Sequence, residues 1–238
     1  MVKLLRKYYC IRESKGNIIC DSAAGLEAAL TSIIYHRKCL EDYISKNLAF
    51  RYALSPMEVE ESAPIVVKRM AEYSKIANVG PMASVAGVLA DLAVEAALKS
   101  GAKAILVENG GEIAIAGSEE FIVGIRAGTL MPFGLKVKPR DMPIGIATSS
   151  GKYGHALSFG EADAVTVVAD NAGLADAAAT AICNATRGGN AVERGIERAK
   201  EIKGIRGVII IFGDLIGIYG SLPELIEVRH DHLIANIV

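Results

Sequence analysis

The spacing of apolar positions changes period several times along the chain, and each change marks an element. From Tyr8 to Cys20 apolar and polar residues alternate around Ser14-Lys-Gly-Asn17, which predicts a β-hairpin turning at that cluster. Residues Ala23 to Ser45 carry Leu26, Leu30, Ile33 and Ile34 at helical spacing with charges between. Ser55-Pro56 has the chemistry of a helix start, and Pro64 restarts a helix running amphipathically towards Ile76.

The middle of the chain contains an echo. Leu89-Ala-Asp-Leu-Ala-Val-Glu-Ala-Ala-Leu98 resembles Leu174-Ala-Asp-Ala-Ala-Ala-Thr-Ala-Ile-Cys183. Each Ala-rich helix leads to two apolar strands joined by a glycine turn, Ala104 to Gly117 in one copy and Gly207 to Gly220 in the other. The expected fold class is therefore α+β, with two pseudo-repeated halves of sheet packed on Ala-rich helices and a ligand cleft between them. No low-complexity linker or charge block interrupts the chain, so residues 1–238 are expected to form one domain.

Composition narrows the function. Hydrophobic residues make up 51% and mean hydropathy is +0.32, an excess owed mainly to Ala, Ile and Val. With 26 basic and 27 acidic residues, no tryptophan and 5% aromatics, the chain lacks the footprint of a nucleic-acid binder. The apolar run Val208 to Phe212 is far too short to cross a bilayer, and charges occupy the N-terminus where a signal peptide needs its apolar core. A cytoplasmic protein with no membrane partner is expected. Cys10, Cys20, Cys39 and Cys183 have no zinc spacing and are expected as reduced thiols. Ala-rich surfaces leave a homo-oligomer open.

Several segments carry chemistry that core packing does not require. Asp176 and Thr180 lie four apart in a helix of small residues, so both oxygens share one face. A carboxylate buried there needs a partner; a hard cation such as Mg2+ accepts both groups, while helix capping by Asp176 and a Thr180 bond to the Asp176 carbonyl are the plain alternatives. Asn109-Gly110-Gly111-Glu112 places bare backbone beside carboxylates, as a ligand-binding bend or simply a hairpin turn. Thr148, Ser149, Ser150 and Gly151 offer hydroxyls and N–H groups to phosphate oxygens, in a run to His155 that reads as a polar loop. His155 is the candidate general base; His36 reads as a surface helix residue, and His230 and His232 as a pair on a terminal strand. Gly80-Pro-Met-Ala-Ser leads into the first Ala-rich helix, whose free N–H groups would attract an anion.

Together these segments resemble the ApbE flavin transferases. Ala86-Gly-Val-Leu-Ala-Asp91 lies on that family's Lys-Gly-Tyr-Ala-Val-Asp helix entry, and Glu108-Asn-Gly-Gly-Glu112 on its Asn-x-Gly-Gly-Asp turn. Ala147-Thr-Ser-Ser-Gly151 is similar to its Thr-Ser-Gly loop, and Leu174-Ala-Asp-Ala-Ala-Ala-Thr180 to its Ala-Asp-Ala-x-Ala-Thr helix. The likeness is closer still to an uncharacterised ApbE-like branch through Val79 to Ala83, Glu108 to Gly111, Gly154-His155 and Ala162 to Thr166. It is strong from about Asn78 to Asn184.

The resemblance implies that Asp176 and Thr180 bind Mg2+, which holds the pyrophosphate of FAD or another nucleotide. It implies phosphate or flavin contacts for Gly80, Asn109, Gly110, Gly111, Glu112, Thr148, Ser149, Ser150 and Gly151. The family's reaction splits FAD and attaches FMN to a threonine of an acceptor protein. This chain departs from the pattern: Ser158 stands where the family has an aspartate, the Pro-x-Thr-Gly that follows is gone, and Ala86-Gly87-Val88 replaces Lys-Gly-Tyr. Two readings follow, a Mg2+-dependent flavin transferase or FAD pyrophosphatase with His155 as base, and a non-catalytic binding or assembly protein of a branch linked to anaerobic sulfur metabolism.

Overall fold

The computed structural model describes residues 3–125, 133–151, 160–227 and 235–237. His155, Gly154 and Ser158, together with His230 and His232, lie outside the described residues.

Strands β1 (Leu5–Ile11) and β2 (Ser14–Cys20) form the first hairpin, and helix α1 (Ala23–Lys46) follows. The Ser22 side chain accepts from the Gly25 N–H at 3.0 Å, capping α1 as serine does when its backbone is extended. A short helix α2 (Leu48–Tyr52), helix α3 (Ile65–Ala77), a 3-10 turn (Pro81–Ser84) and helix α4 (Val85–Lys99) complete the first helical run. Then come β3 (Ala104–Asn109), β4 (Glu112–Gly117), β5 (Phe121–Ile125), β6 (Phe133–Val137), β7 (Ile144–Ser149) and β8 (Ala164–Ala169). Helices α5 (Ala172–Ala185) and α6 (Ala191–Glu201) precede β9 (Ile205–Phe212), β10 (Leu215–Gly220), β11 (Glu224–Glu227) and β12 (Ala235–Ile237).

Three layers result. An eight-stranded antiparallel sheet, β1-β2-β3-β4-β7-β8-β9-β10, carries the helices on one face and a four-stranded sheet, β11-β6-β5-β12, on the other. The period-2 rule assigns the faces. Leu106, Ile113, Ile115, Ile144 and Ile146 pack against Phe121, Val123 and Leu135 of the small sheet. Ile105, Val107, Ala114 and Ala116 turn the other way, towards α1 and α4. Covered on both sides, β8 is buried at all six positions, which explains a run of apolar residues without alternation.

The α+β architecture and the repeat are both present. The α4 helix leads directly to the β3–β4 hairpin, whereas α5 reaches β9–β10 through the extra helix α6, which accounts for the longer spacing of the second copy. Three local expectations need correction. The first hairpin turns at Arg12-Glu13, with Arg12 at φ 54°, because Gly16 is needed inside β2, where an added Cβ would sit 2.1 Å from the Glu108 carbonyl. No helix starts at Ser55-Pro56; α3 begins only after Pro64. The stretch Pro81–Lys99 is long and apolar enough by composition to cross a bilayer, but its residues pack against α1, α5, β3 and β4. The run Gly87 to Val94 is buried at every position, which explains that apolarity.

The cysteines are free thiols. Cys10 pairs across the hairpin with Lys15 and Cys20 with Leu5, so the two cysteines sit at opposite ends of it. His36 is half-buried rather than on the surface: its Nδ1 has no hydrogen-bond partner among the described residues, and desolvation with the nearby Arg69 charge lowers its pKa.

Candidate functional site

The two Ala-rich helices meet at their N-termini and cap each other. Asp91, on α4, accepts the Ala172 and Gly173 N–H groups of α5, both at 2.8 Å. Asp176, on α5, accepts the Gly87 N–H of α4 at 3.0 Å and is also bonded by the Ala86 N–H. Each carboxylate thus satisfies the orphan donors that open the opposite helix, where the helix dipole also favours negative charge. The echoed Leu-Ala-Asp segments are the two halves of this exchange. Among the capping readings Asp176 does cap a helix, but not its own: α5 is capped by Asn171, whose side chain accepts from the Leu174 N–H at 2.8 Å.

Burial works against both carboxylates. Desolvation pushes the Asp91 carboxyl up to about 6, opposed by its two backbone bonds and by the Arg69 charge. Desolvation likewise pushes Asp176 up to about 7, opposed by the Gly87 and Ala86 N–H groups. Asp91→Ala should lower unfolding free energy by about 2–3 kcal/mol, since two charge-assisted bonds at a helix start vanish. Urea denaturation checks this; an unchanged midpoint would contradict the capping role.

Glu112 joins Asp176. It opens β4 on the helix-facing side, the parity of Ala114 and Ala116, and its carboxyl is raised well above the usual range by desolvation and by the Asp176 charge. The turn before it is a two-residue Gly110-Gly111 bend with φ of 73° and 119°, a backbone that requires glycine. Asn109 is 2% exposed and donates its side-chain N–H to the Ala86 carbonyl at 3.0 Å, tying this bend to the start of α4. Glu108 faces the other way and accepts from the Asn17 side chain at 2.6 Å.

Thr180 lies one turn beyond Asp176 and is buried, with no hydrogen bond from its hydroxyl among the described residues. The back-bond to the Asp176 carbonyl is not made. Near it, β7 contributes Ser149. Gly145 of β7 abuts Asn171 and Ala172 at the start of α5, and Ser149, on the same face, lies about 13 Å further along the strand. Just beyond Ser149, Gly151 abuts Gly160, which in turn abuts Cys183, so the end of β7 lies by the second half of α5. The Ser149 Oγ is buried without a hydrogen-bond partner among the described residues.

The structure thus gathers Asp176, Thr180, Asn109, Gly110, Gly111, Glu112 and Ser149 on the helix side of the sheet. It does not bring Thr148 there. Thr148 points to the opposite face and its hydroxyl lies 2.9 Å from that of Thr166. The polar loop expected from Ala147 is strand as far as Ser149, with Ala147 fully buried. Gly151 leaves that strand, its N–H bonded to the Ala162 carbonyl at 2.9 Å, and a Cβ there would strike the Gly160 carbonyl. Ser150 follows the strand end and has interactions of its own. Gly80 abuts the Ala53 carbonyl, which a Cβ would approach to 1.8 Å, so close packing accounts for that glycine. The anion expected at the start of α4 is the protein's own Asp176.

Beside this corner lies a cavity of about 490 Å³ that Ala86, Asn109 and Gly110 line and that Asp176, Glu112, Thr180 and Ser149 do not. Leu40, Ile44, Met82, Val85 and Leu89 give it apolar walls, and Arg12, Arg37 and Arg51 add positive charge. Arg37 is bonded to Glu13, Glu41 and Ser14, and Arg12 to Glu41. Arg51 is exposed, stacks near Tyr52 and has no carboxylate partner among the described residues. Neither Arg51 nor Asp91 was evident as a site or capping residue from the sequence; the Leu89-Ala-Asp91 echo and the helix-entry likeness of Ala86 to Asp91 pointed at the latter without giving it a role.

Comparison with known proteins bears on the family and the fold. The family model described as "AbpE bacteria" matches residues 16–204. The chain is 41% identical over 234 residues to a UPF0280 protein of Methanosarcina acetivorans, covering 96% of this chain and 92% of that protein. This chain belongs to the ApbE-like UPF0280 family. Another UPF0280 protein, from Methanocaldococcus jannaschii, is 41% identical over 230 residues, covering 93% of each chain. Among solved structures, the flavinyl transferase ApbE of Pseudomonas stutzeri aligns with a TM-score of 0.62 at 13% identity, over 92% of this chain and 95% of that one. A variant of the flavin transferase ApbE from Vibrio cholerae aligns with a TM-score of 0.62 at 17% identity, over 92% and 97%. The fold of this UPF0280 chain is therefore the ApbE fold.

The residues present suit a hard divalent cation. No group of three or more His, Cys, Asp and Glu side chains could hold a metal among the described residues. Glu112, which feels the Asp176 charge, Asp176 itself and the Thr180 hydroxyl one helical turn away offer oxygen donors only. Such a set is incomplete for six-fold Mg2+ coordination and leaves positions for water or phosphate oxygens.

Proposed function

We propose that this protein handles FAD or a related nucleotide in a Mg2+-dependent manner, as an ApbE-type flavin transferase or FAD pyrophosphatase. The observation that carries the reading is the Glu112–Asp176 pair, two desolvated carboxylates to which no basic side chain is bonded among the described residues. Such a pair is stable only when it shares a proton or a cation. Membership of the ApbE-like family and the flavin-transferase names of the structural neighbours favour the cation.

Asp176, Glu112 and Thr180 would hold the ion, which would neutralise pyrophosphate charge as it builds in the transition state. The Gly110-Gly111 bend lets the ligand approach bare backbone, and Asn109 fixes that bend against α4. Ser149 would donate its free hydroxyl to a phosphate oxygen. The apolar walls of the adjoining cavity would exclude water from a flat ring, with Arg51 near its anionic arm. His155 remains the candidate base that would take the proton from an attacking hydroxyl or water, and an acceptor protein would supply that hydroxyl in the transfer reaction.

Thermal unfolding with FAD, FMN and AMP, each with and without Mg2+, tests the binding half of the reading. FAD with Mg2+ is expected to raise Tm by several degrees, and FAD alone by less. Equal Tm values in all conditions would refute it. One observation favours a non-catalytic reading: Asp176 already has a structural task at the start of α4. In that case ligand would bind without AMP release.

The same carboxyls set a pH dependence. A carboxyl whose pKa is raised on folding gives stability that is full below the unfolded value, near 4, and is lost as pH rises through the folded value, about 7 for Asp176. Without metal, Glu112→Gln is therefore expected to match wild type near pH 4 and to exceed it in urea midpoint at pH 8. A midpoint difference that stays flat across this range would contradict the shared-charge account.

A further inference from the structure

The two edges of the large sheet are built differently. The β1 edge carries Arg6 and Lys7, which bond Asn17 and Glu27 respectively. Charged side chains of this kind discourage pairing with another chain. The other edge, β10, reads Leu215-Ile-Gly-Ile-Tyr-Gly220 with no charge and no proline. Leu215 is 62% exposed, Ile216 55%, Ile218 52% and Tyr219 38%. A flat apolar edge left open is a template for strand addition.

We infer that β10 pairs antiparallel with β10 of a second copy of this chain, joining the two large sheets across a two-fold axis at Gly217. The register argues for a second copy over a foreign strand. Leu215, Gly217 and Tyr219 share the face towards α6, where Gly217 abuts Val192 and Ile196. Ile216 and Ile218 share the opposite face, next to Ile211 and Ile209 of β9. A two-fold axis perpendicular to the sheet at Gly217 keeps each face with its own kind. It sets Leu215 opposite Tyr219, and Ile216 opposite Ile218, so every exposed apolar side chain of the strand meets another. The α6 helices would flank the junction on one side. Glu193, Arg194, Glu197, Arg198, Lys200 and Glu201 give that helix three charges of each sign, so two copies of α6 can meet without net repulsion.

Sedimentation velocity of the full chain at micromolar concentration tests this. Wild type is expected at about twice 25.1 kDa, and Ile216→Lys with Ile218→Lys at 25.1 kDa with an unchanged circular dichroism spectrum. Leu54→Lys, an equally exposed position away from the edge, is expected to leave the dimer intact. Should the double lysine variant misfold, Ile216→Cys with Ile218→Cys gives a second readout, a covalent dimer on oxidation that oxidised wild type does not form. A monomeric wild type, leaving β10 to some other chain, would overturn the inference, as would a dimer that persists in the lysine variant.

Discussion

Asp176→Ala is expected to cut Mg2+-dependent release of AMP from FAD by roughly 10³-fold, the scale on which preorganised charge partners act in transition states. Two losses combine in this variant. The pair that would hold the cation is reduced to Glu112, and the Gly87 and Ala86 N–H groups lose their acceptor. Asp176→Asn separates the two, because an amide oxygen still caps a helix about as well as a carboxylate. That variant should stay folded and remain as inactive as the alanine. Turnover within a few-fold of wild type in Asp176→Asn would remove Asp176 from the chemistry.

Gly87→Ala is expected to damage the fold itself. A Cβ at this position would lie 2.2 Å from the Ala172 carbonyl oxygen and 2.4 Å from its carbon. Both contacts are backbone, at the crossing where each helix start is capped by the other, so no flexible side chain can yield. Overpacking of this kind costs about 3 kcal/mol, and for a chain of this size that corresponds to a Tm fall of roughly 10 °C. Parting the helices would also move Asp176 away from the Gly87 N–H, so Mg2+ binding should weaken together with stability. A Tm within a degree or two of wild type would mean that the crossing has slack the structure does not contain.

The elements with strong periodicity were legible in the sequence. Both glycine-turned hairpins and both Ala-rich helices lie where apolar spacing and the Gly110-Gly111 and Gly213-Asp214 turns put them. What the sequence hid was long-range. Ser14 to Gly16 reads as a turn because nothing local reveals that Gly16 must pass the Glu108 backbone. Ser55-Pro56 carries good capping chemistry, but the residues before Pro64 lack an apolar stripe to bury, and capping alone does not sustain a helix.

The site was half legible for the same reason. Asp176 and Thr180 could be placed on one helix face from spacing alone, and Asn109 to Glu112 in a turn. That Glu112 lies beside Asp176, and that the α4 N–H groups take an Asp176 oxygen, depends on how two distant helices cross. Thr148 and Ser149 are neighbours in sequence, yet strand pleating sends them to opposite sides of the sheet. Hydroxyl clustering in sequence gave no hint of that separation.

A Mg2+ titration of thermal stability at pH 8, comparing wild type with Asp176→Asn, bears most directly on the carboxylate corner. Wild type should gain several degrees in Tm with millimolar Mg2+, while Asp176→Asn should start at or above the metal-free wild-type value and gain nothing. Equal Mg2+ gains in the two proteins would mean that the ion binds elsewhere, and that Asp176 does no more than hold two helices together.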